Sequence, residues 1–192
     1  MTMQSYIKWR KQCIKKKLHI YKLTDSPYWN EYDKFYSGID YKNKIIIDIG
    51  CDIGTSPIYF LQHGANHVYG FSLEKQYFKN PNYNHYIYNM EKINYVMNNI
   101  IPYYSITGNG IILKMDCEGC EWNFTVEFLQ KFDKWIIAMH NPVENKELYD
   151  YIINNGHEIG YVDNTEFSVM ISNSLYINSK YNDNEQYNIN RV

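Results

Sequence analysis

Lys44-Ile45-Ile46-Ile47-Asp48-Ile49-Gly50-Cys51-Asp52-Ile53-Gly54-Thr55-Ser56 is the stretch that decides the fold class. The β-branched run Ile45 to Ile47 suits a strand covered on both faces, and such strands belong mainly to parallel sheets flanked by helices. Asp48 marks the strand's end. Gly50 and Gly54 accept positive φ and leave no Cβ between the chain and a bound molecule, while Thr55 or Ser56 is placed to cap the next helix. In open α/β sheets the ligand lies just outside the carboxyl end of such a strand, so the run reads as a nucleotide-type cofactor site. A two-glycine turn alone also marks a plain strand-to-helix connection, and other segments must decide between the two.

Outward from this run, short β-branched segments alternate with helical ones, as α/β folds require. Strands are expected near 45–49, 67–71, 85–88, 110–116 and 134–139, and helices near 55–63, 91–100, 122–131 and 145–155. Gly64 and Gly156 sit where helices end and read as C-caps. His157 to Val162 and Glu166 to Ile171, joined by Asp163-Asn164-Thr165, read as an antiparallel hairpin closing the sheet. Upstream, Lys8 to Lys17 belongs to a basic amphipathic helix whose apolar stripe is read as packing on the domain in preference to binding a polyanion. Residues 25–41 read as an irregular approach segment able to fold over a cofactor. The expected organisation is therefore a basic helix and cap over 1–41, an α/β domain over 42–177 and a frayed polar tail over 178–192.

The 192 residues suit one domain with a full core. Nineteen basic and 21 acidic side chains leave a net charge of −2, so no overall field draws the molecule to nucleic acid. Apolar runs are too short for a membrane span and the N-terminus lacks a signal-peptide core, so a cytoplasmic location is expected. Tyrosine, at 21 residues, accompanies abundant Asn, Ile and Lys, a codon bias that removes functional meaning from Tyr clusters. Cys117-Glu118-Gly119-Cys120 forms a CxxC pair, but no second pair completes a zinc set and the motif lies too late for a thioredoxin-type redox site. Cys51 and Cys117 would form a thermophile-type intracellular disulfide if their strand ends are neighbours.

Gly110 to Met115 is a second buried strand, and it ends in Asp116, Glu118 and Glu121 around Gly119. Three acids at one strand end raise one another's pKa and call for a cation, a proton or a donor. Glu118 and Glu121 also suit the N-terminus of a helix, a role that does not explain Asp116. A third strand, from Trp135, ends at His140. If it lies beside the second, His140 and the acids form either a general base held by a carboxylate or part of a metal site.

Asp48-Ile-Gly-Cys-Asp-Ile-Gly54 with Lys114-Met-Asp-Cys-Glu-Gly-Cys-Glu121 resembles the paired motifs of the FkbM family of class I S-adenosylmethionine-dependent methyltransferases. The similarity covers about residues 44–160. It implies a Rossmann-like α/β fold with a mostly parallel seven-stranded sheet, a reversed final strand and helices on both faces. It also implies S-adenosylmethionine over the first strand and methyl transfer to an oxygen. Gly50, Cys51 and Gly54 would pass beside the methionine part, with Asp48 and Asp52 oriented toward its ammonium or a bound water. The family's ribose-binding acid is replaced here by Ser72, with Glu74 as an alternative. Asn89 and Met90 would contact the adenine.

Methyl transfer is an in-line displacement in which the protein aligns the nucleophile and removes its proton. His140 or Asp116 is the expected base, with Glu118 and Glu121 positioning the acceptor or a divalent metal ion. The acceptor is expected to be a sugar or other small hydroxylated molecule, partly covered by Trp29 and nearby tyrosines. A nicotinamide-dependent oxidoreductase fits less well, because the loop lacks GxGxxG spacing. A non-catalytic viral or archaeal descendant that binds nucleic acid through its basic helix is the remaining alternative.

Overall fold

In the computed structural model, which describes residues 29–51, 53–73, 75–76, 79–106, 110–161 and 168–174, Ile45–Ile49 form the central strand β1. It pairs in parallel with β2 (His67–Ser72) on one side and β4 (Ile111–Met115) on the other. β3 (Tyr83–Ile87) extends one edge and β5 (Lys134–His140) the other, both parallel to their neighbours. β7 (Ser168–Ser172) runs antiparallel against β5, with β6 (His157–Tyr161) outside it. The seven-stranded order β3-β2-β1-β4-β5-β7-β6 is that of the class I methyltransferase fold, with the antiparallel pair at its C-terminal end. The expected turn 163–165 lies outside the described residues, as do the basic helix of 8–17 and the polar tail.

Alternation along β1 builds a core on each face. Ile45, Ile47 and Ile49 join Trp122, Phe124, Phe128 and Trp135 in one layer, while Ile46 joins Tyr36, Tyr41, Tyr59 and Phe60 in the other. A strand buried at every position is what Ile-Ile-Ile implied. Full burial of one such side chain contributes roughly 1.5–3 kcal/mol.

Several local expectations are corrected. Residues 29–36, read as irregular, form α1 (Trp29–Tyr36), whose Phe35 and Tyr36 are buried in the second core. In α2 (Thr55–Gln62) neither Thr55 nor Ser56 caps the helix: left-handed Gly54 precedes it without a side-chain cap. The hydroxyls are engaged elsewhere, Thr55 with Tyr32 at 2.6 Å and Ser56 with Asp48.

The helix expected at 91–100 begins as α3 (Met90–Tyr95), widens into a π turn at Val96–Ile100 and continues as α4 (Ile101–Ile106). The wide turn falls where the ring of Pro102 would collide with the carbonyl four residues back, and it lets the helix run on past the proline. In place of one helix at 122–131 there is a 3₁₀ turn (Cys120–Asn123) and a short α5 (Val126–Leu129), because Phe124 is extended and Thr125 caps a fresh start.

α6 (Lys146–Asn155) ends at Gly156, whose φ of −120° is not left-handed. Glycine is needed there because a Cβ would lie 2.4 Å from Ile171 and 2.7 Å from Trp135. Cys51 does not pair with Cys117: the disulfide joins Cys117 to Cys120, and Cys51 is a buried free thiol. Their strands are indeed neighbours, but the tight turn after β4 brings Cys120 back to Cys117 first. Among the described residues, no helix is long and apolar enough to cross a membrane.

Candidate active site

The glycine turn after β1 and the acidic turn after β4 are packed backbone to backbone. Asp116 N–H donates to the Ile49 carbonyl at 2.9 Å, and a Cβ added to Gly50 (φ +85°) would stand 1.7 Å from the Asp116 carbonyl oxygen. No side chain fits between them. On its other side the turn is tied to β2, with Gly50 and Cys51 N–H groups donating to the Phe71 carbonyl at 2.8 and 3.2 Å.

Beneath the turn lies a buried ion pair. Lys114 stands opposite Asp48 in the β1–β4 register, its Nζ 3.2 Å from Asp48 Oδ1 and donating to the Gly50 carbonyl at 2.8 Å. Ser56 Oγ donates to Asp48 Oδ2 at 2.6 Å. Asp48 is fully buried among these groups and supports the loop from below. Lys114 is the residue that sequence reasoning missed. Its signal was a lone cation inside the apolar run Ile-Ile-Leu-Lys-Met.

The other expected cofactor contacts differ in character. Burial and the charge of Asp48 push the Cys51 thiol up to about 12, which makes it an inert packing group beside Tyr83. Ser72, at the end of β2, hydrogen-bonds His85 Nε2 at 2.9 Å. Asn89 accepts from the Glu91 N–H at 2.7 Å and so caps α3, and Met90 is half-buried with Tyr88 OH 3.7 Å from its sulfur. Asp52 and Glu74 lie outside the described residues. Leu73 and Ile87, 82% and 51% exposed, give the ends of β2 and β3 an apolar surface that had drawn no notice in the sequence.

β4 and β5 are neighbours, and this brings His140 to the acids. The disulfide closes a tight turn over Glu118 (φ +57°) and Gly119 (φ +102°). Glu118 Oε2 and Asp116 Oδ1 approach His140 Nε2 at 3.7 and 3.8 Å. Glu121 points the opposite way. Fully buried, its Oε1 accepts from His140 N–H at 2.8 Å and from His140 Nδ1 at 2.9 Å, and its Oε2 accepts from Gly119 N–H at 3.0 Å. Glu121 is thus shut away from any acceptor, against the expectation that it positions one.

Burial works against a charged His140, but the Glu121 hydrogen bond and the charges of Glu121, Asp116 and Glu118 outweigh it and hold the pKa above its ordinary value. One ligand atom each from Asp116, Glu118 and His140 lies within 4.8 Å of the others, a spacing that a divalent ion could bridge. Three donors fall short of the four to eight that zinc or calcium sites assemble, and Glu118 is largely solvent-exposed. The arrangement is that of a histidine gripped from behind and faced by two carboxylates.

No family model matches the chain. It is 28% identical over 144 residues to Uncharacterized protein 65 of Sulfolobus islandicus filamentous virus (isolate Iceland/Hveragerdi), covering 70% of this chain and 89% of that one. It is 37% identical over 124 residues to Uncharacterized protein 158B of Sulfolobus islandicus rod-shaped virus 1, covering 62% and 75%. Among solved structures, a Plasmodium falciparum protein assigned as a ribosomal RNA methyltransferase superposes with a TM-score of 0.52 at 18% identity, over 77% of this chain and 95% of that one, a likeness of fold. The chain therefore belongs, on the class I methyltransferase fold, to the family of archaeal-virus proteins that includes protein 158B of the rod-shaped virus.

Proposed function

We propose that this protein is an S-adenosylmethionine-dependent methyltransferase of the FkbM type that methylates a hydroxyl oxygen on a sugar or other small molecule. The observation that carries this reading is the contact of the Gly50 turn with the Asp116 backbone, with His140 on the next strand. These residues stand at the carboxyl ends of β1, β4 and β5, beside the point where strand order reverses and doubly wound folds bind their ligands.

The chemistry of the donor set suits the cofactor. Asp116 and Glu118 offer negative charge to a sulfonium and an ammonium, Ser72 at the end of β2 offers a hydroxyl to a ribose, and Leu73 and Ile87 offer apolar surface to a flat base. When bound, the cofactor supplies the electrophilic methyl carbon. The protein's own part is alignment and proton removal, for which His140 Nε2 is the base, with Asp116 and Glu118 orienting the acceptor hydroxyl.

An RNA acceptor, the substrate class in the Plasmodium neighbour's name, would have to seat its phosphates away from these carboxylates. A small uncharged hydroxyl compound meets no such constraint. Calorimetry with S-adenosylmethionine and its demethylated product tests cofactor binding, and transfer of a tritiated methyl group to a panel of sugars, phenols and a short RNA tests the acceptor. Saturable heat with label on a sugar or phenol is expected. No heat with the cofactor ends the proposal, and label found on RNA alone ends its acceptor half.

A further inference from the structure

We propose that Glu121 is a positioning residue that locks the His140 ring in a single tautomer, proton on Nδ1 and lone pair on Nε2, and so aims the base at the acceptor; this rests on the methyl-transfer reading above.

A carboxylate has no proton to give, so in every hydrogen bond it makes Glu121 is the acceptor. Three donations reach it: the backbone N–H of His140, the backbone N–H of Gly119 and, at 2.9 Å, Nδ1 of His140. The two backbone donors are fixed by their peptide planes and hold the carboxylate in one orientation. Nδ1 must therefore carry the proton, because the opposite tautomer would press a ring lone pair against a fully buried carboxylate oxygen at 2.9 Å. Trp122 Nε1–H, donating to the His140 carbonyl at 3.0 Å, fixes the end of β5 on which the ring is mounted.

With Nδ1 committed, the neutral ring accepts only at Nε2. Asp116 and Glu118, 3.8 and 3.7 Å away, have no proton to give it, so this lone pair is left to a donor such as the acceptor hydroxyl. In the reaction the acceptor oxygen forms its bond to the methyl carbon while its proton passes to Nε2. The electron pair of the broken S–C bond stays on sulfur, and the imidazolium is stabilised through Nδ1 by Glu121. The same carboxylate holds Gly119, so the base and the acidic turn keep one spacing.

The test is long-range ¹H–¹⁵N NMR of protein labelled in its histidines, with His140 assigned by its disappearance in His140→Asn. Above its pKa, His140 is expected to show a protonated Nδ1 and a bare Nε2. In Glu121→Gln the opposite tautomer is expected to grow in, and methyl transfer to the best acceptor of the panel is expected to fall by about a hundredfold or more in kcat. Calorimetric affinity for S-adenosylmethionine should stay within about threefold, a split that general loosening of the fold would not produce. A bare Nδ1 in the wild-type protein, or unchanged ring signals in Glu121→Gln, overturns the proposal. The wild-type spectrum decides alone if Glu121→Gln does not fold. Absence of cofactor heat would end the methyl-transfer reading and leave the tautomer assignment standing, whereas the wrong tautomer with normal cofactor heat ends only this inference.

Discussion

Replacing Lys114 by Met is the sharpest probe of what holds the glycine turn in place. The side chain keeps its length, but the ammonium that faces Asp48 at 3.2 Å and the Gly50 carbonyl at 2.8 Å is gone. Asp48 is then a carboxylate with no exposure whose remaining partner in that cluster is the Ser56 hydroxyl. Removing one member of a buried pair costs roughly 3–5 kcal/mol, and the orphaned Gly50 carbonyl lies within that range of effects. The loss corresponds to between about a hundredfold and several thousandfold in the folding constant, a large share of the roughly 5–15 kcal/mol that stabilises a domain. Urea unfolding followed by circular dichroism at neutral pH measures it. Adding Asp48→Asn to Lys114→Met removes the stranded charge while leaving Ser56 an oxygen to bond, and should recover about half the loss. A single variant within about 1 kcal/mol of wild type, or a double variant no more stable than the single, would refute the account of the pair as the turn's support.

The two glycines of the site should respond differently to alanine. Gly50→Ala combines a left-handed φ, costing about 1–2 kcal/mol, with a backbone collision at 1.7 Å, so it should destabilise by more than about 3 kcal/mol and abolish cofactor heat. Gly119→Ala meets nothing within 4 Å and should cost only the conformational part; equal losses in urea unfolding would contradict the packing described. A base must be neutral, and the pKa of His140 is raised, so the methyl-transfer rate should climb with pH along a limb above the ordinary histidine value. Glu118→Gln removes one of the charges that raise it and should move that limb to lower pH; a shift upward in the measured profile would reverse the electrostatic assignment. Treatment with a metal chelator should leave transfer unchanged, and activity lost to the chelator and restored by magnesium or manganese would reassign Asp116, Glu118 and His140 as ion ligands.

Much of the framework was legible in the residues because it depends on local pattern. Three consecutive β-branched isoleucines suit a strand covered on both faces, and β1 spans the expected Ile45–Ile49. The resemblance carried by Asp48 to Gly54 and Lys114 to Glu121 implied a mostly parallel seven-stranded sheet with a reversed final strand, and the fold has one. Helix boundaries followed less well, because Thr125 as a fresh cap and the π turn ahead of Pro102 depend on how the chain packs. α1 was hidden for a similar reason: the burial of Phe35 and Tyr36 against α2 and the sheet supplies what their local propensity does not.

The roles inside the site were decided by three-dimensional packing. Spacing alone ranked Glu118 and Glu121 as equals, yet the left-handed turn at Glu118 and Gly119 sends one carboxylate to solvent and folds the other under His140. Lys114 and Asp48 stand 66 positions apart in sequence order, and only strand register makes them partners. The chain by itself determined which segments are strands and where polar residues end them, since burial periodicity is a property of neighbouring residues. Which of those polar groups face a ligand and which face one another depends on the direction of each turn after its strand, and that direction emerges only when the strands lie side by side.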